Sequence, residues 1–212
     1  LTELDRWILG ELAATVAGVT AGLDGFDPYT PTQRLTDFVD ALSNWYVRRS
    51  RDRFWASADD VEAAKNAAYG TLYTCLVTLA KLFAPFTPYL AEGIYQNLVG
   101  GSGVRGACES VHLASWPSVD QLPARDEALA TRMAAVRALV GLGREVRTNA
   151  KTKTRQPLRR AHLVVADRAL RADLASYASL VAEELNVLEI AFPGDDEAGT
   201  FVTYKLKPNF RT

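Results

Sequence analysis

Arginine and aromatic side chains are interleaved in the stretch LSNWYVRRSRDRFW, residues 42–55. Its four arginines are opposed by one acidic residue, Asp52, which leaves a local excess of positive charge. Guanidinium groups bind phosphates through paired hydrogen bonds and stack on bases, so this composition suits a nucleic acid. A helix whose aromatics pack inward and whose arginines pair with nearby acids, such as Arg48 with Asp52, is the alternative interpretation.

A second basic stretch, GREVRTNAKTKTRQPLRR, covers residues 143–160 and carries one opposing acid, Glu145. Three of its cations are spaced i, i+3 and i+7, which predicts one stripe on a long helix, and the others follow where the helix gives way to a loop. Cations at a helix C-terminus also interact favourably with the helix dipole, but that accounts for two or three of them. The excess therefore indicates a nucleic-acid surface. The seven cations are Arg144, Arg147, Lys151, Lys153, Arg155, Arg159 and Arg160.

Helices are predicted for the first two thirds of the chain, since apolar residues recur there at helical spacing. The expected helices cover residues 2–21, a segment starting near 32 and continuing through the first basic stretch, a segment capped by Ser57, a short one after Pro88, and 125–150. On the second helix, Leu35, Phe38, Val39, Leu42 and Tyr46 share the inward face. If the same helical period continues through the first basic stretch, Arg48 and Arg51 point outward to solvent, and Arg49 and Arg53 lie at the edge of the inward face.

The pattern changes after Pro157. RAHLVVA and NVLEIAF are predicted strands, with a helix between them at residues 170–184, and TFVTYKL is a candidate third strand. SVHLASWP, before the long helix, is predicted to be a short extended segment. The expected fold class is mainly α: a helical bundle over residues 1–154, followed by a small α+β unit over residues 155–212. On the long helix, the buried stripe is expected to include Leu129, Met133, Val136, Leu139, Val140 and Leu142.

The sequence offers no catalytic constellation. His112 and His162 have no partner at metal-ligand spacing, and the two cysteines, Cys75 and Cys108, cannot form a four-cysteine zinc site. There is no phosphate-binding glycine loop and no HExxH or GxSxG motif. An autonomous enzyme is therefore not expected.

Charge, hydropathy and cysteine content indicate the compartment in which the protein acts. The formal net charge of −1 predicts no partner by itself, so only the local clusters carry information. No apolar run approaches the roughly 20 residues of a membrane span, and two distant cysteines fit a reducing compartment. We therefore expect a cytoplasmic protein that does not bind membranes. Because the chain starts at Leu1 and stops at Thr212 without a closing signal, it is predicted to be a piece of a longer protein.

Five segments in fixed order make the sequence resemble a known family: LDRWIL, FVDALSNWYVRRSRDRFW, FAPFTPYLAEGIYQNLV, SVHLASWP and KTKTRQPL. It resembles the C-terminal anticodon-binding region of class I aminoacyl-tRNA synthetases. Within the isoleucine, valine and leucine group it is most similar to the isoleucyl-tRNA synthetases, and NWYVRRSRDRFW is its most specific segment. The resemblance covers nearly the whole chain.

The resemblance implies a module that grips the anticodon arm of an isoleucine-specific tRNA. The family's catalytic domain, with its HIGH and KMSKS signatures, and its editing domain would lie N-terminal to this chain. ATP and magnesium would belong to the full-length ligase, and no cofactor is expected here. Some bacterial members end in a cysteine-rich zinc module, which this sequence lacks. We expect a monomer. The alternatives are the same region of a valyl or leucyl synthetase, or a helical protein-interaction scaffold with a basic face.

The candidate tRNA-binding residues are the outward cations of both stretches and one aromatic. When such cations contact the RNA phosphate backbone, counterions are released, which increases the binding affinity at low salt; the affinity falls as the salt concentration rises. Unpaired anticodon bases can stack on aromatic or guanidinium planes, for which Trp55, Trp116 and the arginines around Arg155 are candidates. For Trp116, which precedes Pro117, packing in the protein interior is the alternative interpretation. The predicted binding set is Arg48, Arg51, Trp55, Arg144, Arg147, Lys151, Lys153, Arg155 and Arg159, with no catalytic and no metal-binding residue.

Overall fold

A computed structural model describes residues 1–56, 62–103, 106–194 and 196–201. The chain divides into two compact units, Leu1–Ala130 and Thr131–Thr212. The division between these compact units falls inside the long helix. Most of the described residues are helical, so the predicted fold class, mainly α with a small α+β unit, is confirmed.

The first unit is a helical bundle. Its helices are α1 (Glu3–Asp24), α2 (Tyr29–Asp40), a π-helix (Ala41–Val47), α3 (Arg51–Trp55), α4 (Glu62–Phe83) and α5 (Pro88–Leu98). Three short 3₁₀ turns come next, at Gly100–Ser102, Val111–Leu113 and Val119–Gln121. The helix α6 (Glu127–Asn149) begins in this unit and continues into the second.

A capping box starts α1: Thr2 Oγ1 accepts from the backbone N–H of Asp5, and Asp5 accepts from the backbone N–H of Thr2. The buried face of α1 includes Trp7, Ile8 and Leu12, as the periodicity predicted. At the turn into α2, the helices approach so closely that a Cβ on Gly22 would lie 2.6 Å from Pro31 Cγ. Glycine is therefore required there by packing.

The second unit contains a two-stranded parallel sheet. Strands β1 (Leu158–His162) and β2 (Val187–Ala191) pair in the register Leu158↔Val187 and Arg160↔Glu189. Parallel pairing needs a crossover connection, which α7 (Arg168–Ala175) and α8 (Ala178–Leu185) supply. A short α9 (Ala198–Phe201) comes after β2. The apolar core of this unit includes Leu174, Val181 and Leu185.

Several sequence predictions were wrong in detail. The helix expected at residues 170–184 is two helices, since Ser176 and Tyr177 interrupt it. SVHLASWP contains a 3₁₀ turn, Val111–Leu113. Thr200 and Phe201, expected to open a third strand, are helical, and the rest of TFVTYKL lies outside the described residues, as does the proposed cap Ser57.

Two apolar residues placed in the core by periodicity lie at the surface. Val39 is 37 % exposed and Leu142 is 59 % exposed. Each lies at the margin of its helix's apolar stripe. At that margin, helical spacing alone does not determine whether a side chain is buried or exposed. Among the described residues, no helix is both long and apolar enough to cross a membrane.

Candidate nucleic-acid interface

The first basic stretch folds as a π-helix followed by α3. Trp45 and Tyr46 are buried, which confirms that these aromatics anchor the segment in the bundle. Arg48 and Arg51 are exposed, and Arg48 Nε donates to the Asn44 carbonyl oxygen over 2.8 Å. Trp55, the last residue of α3, is 79 % exposed. Predicted binding residues Arg48, Arg51 and Trp55 thus lie on one short surface segment, supported by buried aromatics.

The π-helix changes which arginine faces inward. Its hydrogen bonds span five residues, so each turn holds more residues than an α-turn, and α-helical spacing misplaces the residues beyond it. Arg53, expected at the edge, points into the first unit instead. Its Nη1 and Nη2 donate to Asp5 Oδ1 and Oδ2, each over 2.8 Å. Arg53 is therefore structural, and we call this pair the Asp5–Arg53 clamp.

Every oxygen of the clamp's carboxylate is engaged. Asp5 is fully buried, and its Oδ1 also accepts from the Tyr46 hydroxyl over 2.8 Å. The Thr2 backbone N–H donates to Oδ2 over 2.7 Å, and Arg53 Nη2 reaches the Ala64 carbonyl oxygen over 3.2 Å. The clamp ties the start of α1 to α3 and α4. Sequence reasoning missed Asp5; the signal was an acid on the otherwise apolar face of α1.

The clamp shifts the pKa values of its members. Burial, the largest single influence, raises the pKa of Asp5, but the hydrogen bonds from Arg53, Thr2 and Tyr46 together outweigh it and lower the pKa from 3.8 to about 2. Burial and the hydrogen bond to Asp5 raise the pKa of Tyr46. Asp5 therefore stays ionised in the folded protein under conditions in which an unfolded chain would bind a proton.

Acid should weaken the clamp in a defined window. Because the folded pKa of Asp5 lies below the unfolded one, its contribution to stability is complete above about pH 4 and is lost as the pH falls towards about 2. We expect the difference in unfolding free energy between the native chain and Asp5→Asn to be largest above pH 4 and to shrink below it. Urea denaturation at a series of pH values measures this difference. A constant difference across the series would contradict the assignment.

The second basic stretch departs from the predicted stripe. Helix α6 ends at Asn149, and Lys151 has a left-handed backbone, with φ of 54°, beyond the helix. Lys151 therefore cannot continue a helical stripe with Arg144 and Arg147. We call residues 151–155 the basic loop, where Lys151, Lys153 and Arg155 are all exposed.

Arg147 is predicted to lie at the surface, but it is buried, with only 5 % of the residue exposed. Its Nη2 donates to the carbonyl oxygens of Lys153 over 2.7 Å and Thr154 over 3.3 Å, and also to that of Gln156. Asn186 Nδ2 donates to the Thr154 carbonyl oxygen as well, over 3.0 Å. Arg147 thus supports the basic loop from within, because its backbone carbonyls would otherwise lack these donors.

Two other cations of this stretch are paired with carboxylates. Arg144 donates to the buried Glu184 over 2.7 Å, and Arg160 pairs with the exposed Glu189 over 2.6 Å. Arg159 is exposed on β1. Lys151, Lys153, Arg155 and Arg159 are exposed, as predicted. Arg144 is also exposed, but it is paired with Glu184.

A family model for the anticodon-binding domain of tRNA ligases matches residues 5–163. The chain belongs to this family. The matched range includes both halves of the Asp5–Arg53 clamp, the π-helix and the basic loop, and it contains all nine predicted binding residues. The resemblance noted from the sequence is thereby confirmed for this anticodon-binding domain.

Individual relatives extend the match over nearly the whole domain. The isoleucine–tRNA ligase of Dehalococcoides mccartyi is 48 % identical over 203 residues, which is 96 % of this chain and 19 % of that protein. The isoleucine–tRNA ligase of Thermus thermophilus is 46 % identical over 99 % of this chain, and that of Chlamydia trachomatis is 39 % identical over 100 % of it. Each alignment covers 20 % of the relative's own length. The anticodon-binding domain described here spans about a fifth of the relatives it matches.

Proposed function

We propose that this domain grips the anticodon arm of an isoleucine-specific tRNA on behalf of an isoleucine–tRNA ligase. The observation that supports this most is the exposed basic loop, held in shape by the buried Arg147, within a chain of the anticodon-binding family. Isoleucine specificity is supported by the names of the relatives, which are isoleucine–tRNA ligases. ATP and magnesium would act elsewhere in the full-length enzyme.

In this proposal, the two units contribute different surfaces. Arg48 and Arg51 in the first unit, and Lys151, Lys153, Arg155 and Arg159 in the second, would contact phosphates. Guanidinium and ammonium groups on fixed supports gain affinity by releasing counterions from RNA. Trp55, with its indole in solvent, would stack on an unpaired base. We further propose a monomer acting in the cytoplasm, a reducing compartment consistent with free Cys75 and Cys108.

Filter binding of the chain to an anticodon stem-loop across a salt series tests the proposal. If four or more phosphates are neutralised, affinity should fall by a factor of roughly 30 or more between about 50 and 200 mM salt. A flat salt response would show that the exposed cations do not engage the RNA backbone.

Trp55→Ala should weaken RNA binding without weakening the fold. Loss of one base–aromatic stack corresponds to roughly 5- to 100-fold in affinity. Because the side chain is 79 % exposed, the free energy of unfolding should change by less than about 0.5 kcal/mol. Fluorescence anisotropy of a labelled stem-loop measures the affinity, and thermal unfolding checks the fold.

Tyr89→Ala is the matched control, since Tyr89 is 93 % exposed and carries an aromatic ring elsewhere in the first unit. It should leave RNA affinity unchanged. Equal losses for the two variants would mean that Trp55 has no specific role.

A further inference from the structure

A groove in the first unit is lined by basic and aromatic residues that belong to neither basic stretch. It lies between the end of α4 and the segment after α5, encloses about 290 Å³, and is lined by Lys81, Ala84, Pro85, Val111, His112 and Trp116, among others. That volume lies just below the roughly 300–1,000 Å³ typical of ligand pockets. It has room for one flat ring system rather than for a helix of a partner protein.

The Trp116 wall of the groove is fixed in position. Trp116 Nε1 donates to Thr20 Oγ1 over 2.8 Å, which orients the indole while 39 % of the residue stays exposed. A partly exposed aromatic ring held by its polar edge has lost side-chain freedom before a ligand arrives. Stacking on it therefore costs less conformational entropy.

The His112 wall is also held by hydrogen bonds. Glu92 Oε2 accepts from Ser110 Oγ and from the Val111 backbone N–H, each over 2.9 Å. Ser110 Oγ in turn accepts from the His112 backbone N–H over 3.2 Å, which starts the 3₁₀ turn. The imidazole is thus presented from a capped turn, beside the groove.

The charge in the groove favours an anion. Lys81 is half-buried in the last turn of α4, and none of the described residues lining this groove is acidic. A neighbouring groove, also lined by Trp116, contains Asp24 instead. The indole therefore borders two concave surfaces, and the one with Lys81 and His112 suits a negatively charged ligand.

We infer that this groove binds one unpaired nucleotide of the RNA, with its base against the Trp116 indole and its phosphate against Lys81 and His112. The inference rests on the proposed function and adds a specific subsite to it. A base offers the flat π-face that an exposed indole accepts, and the adjoining phosphate supplies the negative charge that Lys81 would pair with. Apolar Ala84, Pro85 and Val111 would exclude water from the ring.

Three substitutions in the 212-residue chain test the subsite with the anticodon stem-loop as probe. Trp116→Leu should weaken binding about tenfold. Lys81→Gln should weaken it about fivefold and make the slope of log affinity against log salt shallower by about 0.7, as expected for one lost contact to single-stranded RNA. Trp116→Phe keeps a ring and should recover most of the affinity lost in Trp116→Leu, which separates stacking from a folding defect.

Matched controls remove the same groups away from the groove. Arg6→Gln removes an exposed cation and Tyr89→Leu an exposed aromatic, and both should leave the affinity within about twofold of the native chain. If the native chain binds RNA and the groove variants behave like these controls, the subsite is wrong and the proposed function stands. If the native chain does not bind the stem-loop at all, the proposed function fails and the subsite fails with it.

Discussion

Replacing Arg53 with alanine is expected to lower the free energy of unfolding of the first unit by about 3–5 kcal/mol. The substitution removes two 2.8 Å hydrogen bonds from a carboxylate that is fully buried. Tyr46 and Thr2 still donate to Asp5, but its ion-pair partner is gone. The cost is that of leaving an uncompensated charge in the protein interior.

Urea denaturation monitored by tryptophan fluorescence isolates this effect, because all four tryptophans lie in the first unit. Combining Arg53→Ala with Asp5→Asn should recover part of the loss, since the buried group is then neutral. As a control, Glu127→Ala breaks the more exposed pair with Arg125 and should cost less than about 1 kcal/mol. A similarly small cost for Arg53→Ala would show that the clamp does not stabilise the bundle.

Reversing two charges of the basic loop, Lys153→Glu with Arg155→Glu, is expected to reduce anticodon-arm affinity by roughly 100-fold near 0.1 M salt. Two attractive contacts with phosphates become repulsive. Lys151 is left unchanged because its left-handed backbone makes a substitution there hard to interpret. Arg147 is left unchanged because its guanidinium holds the loop. Anisotropy of a labelled stem-loop measures the affinity.

The matched control reverses two exposed charges of the first unit, Arg6→Glu with Arg34→Glu. It changes the net charge of the chain by the same amount, so it reports the effect of overall charge alone. We expect it to weaken binding much less, and circular dichroism should show both double variants folded. Equal losses in the two variants would assign the effect to net charge rather than to the basic loop.

Periodicity predicted those parts of the fold that depend on neighbouring residues. The buried faces of α1 and α2, and the inward positions of Trp45 and Tyr46, result from apolar spacing along one helix. The strand β2 was likewise identified within NVLEIAF, where it covers Val187–Ala191. In each case a local pattern and the tertiary structure agree.

Contacts between distant residues could not be predicted in this way. Arg53 meets an acid 48 positions earlier in the chain, and no spacing rule within residues 42–55 points to Asp5. Arg147 was assigned to an exposed stripe by extending α6 to Lys151, but the helix ends at Asn149 and the chain turns back over the guanidinium. Arg53 and Arg147 both belong to basic stretches whose composition suggested RNA. Charge alone does not distinguish an arginine that binds phosphate from one that supports the surface.

Recognition of the anticodon arm of an isoleucine tRNA is tested most directly by comparing two hairpins of equal length and charge. One is the anticodon stem-loop of that tRNA and the other is a hairpin of the same length whose stem carries acceptor-stem sequence and whose loop sequence is unrelated to the anticodon loop, with both dissociation constants measured in the same salt. We predict that the anticodon stem-loop binds at least about tenfold more tightly, because its anticodon-loop bases add specific stacking contacts to the phosphate contacts that both hairpins share. Equal affinity for the two hairpins would contradict anticodon-arm recognition by this domain.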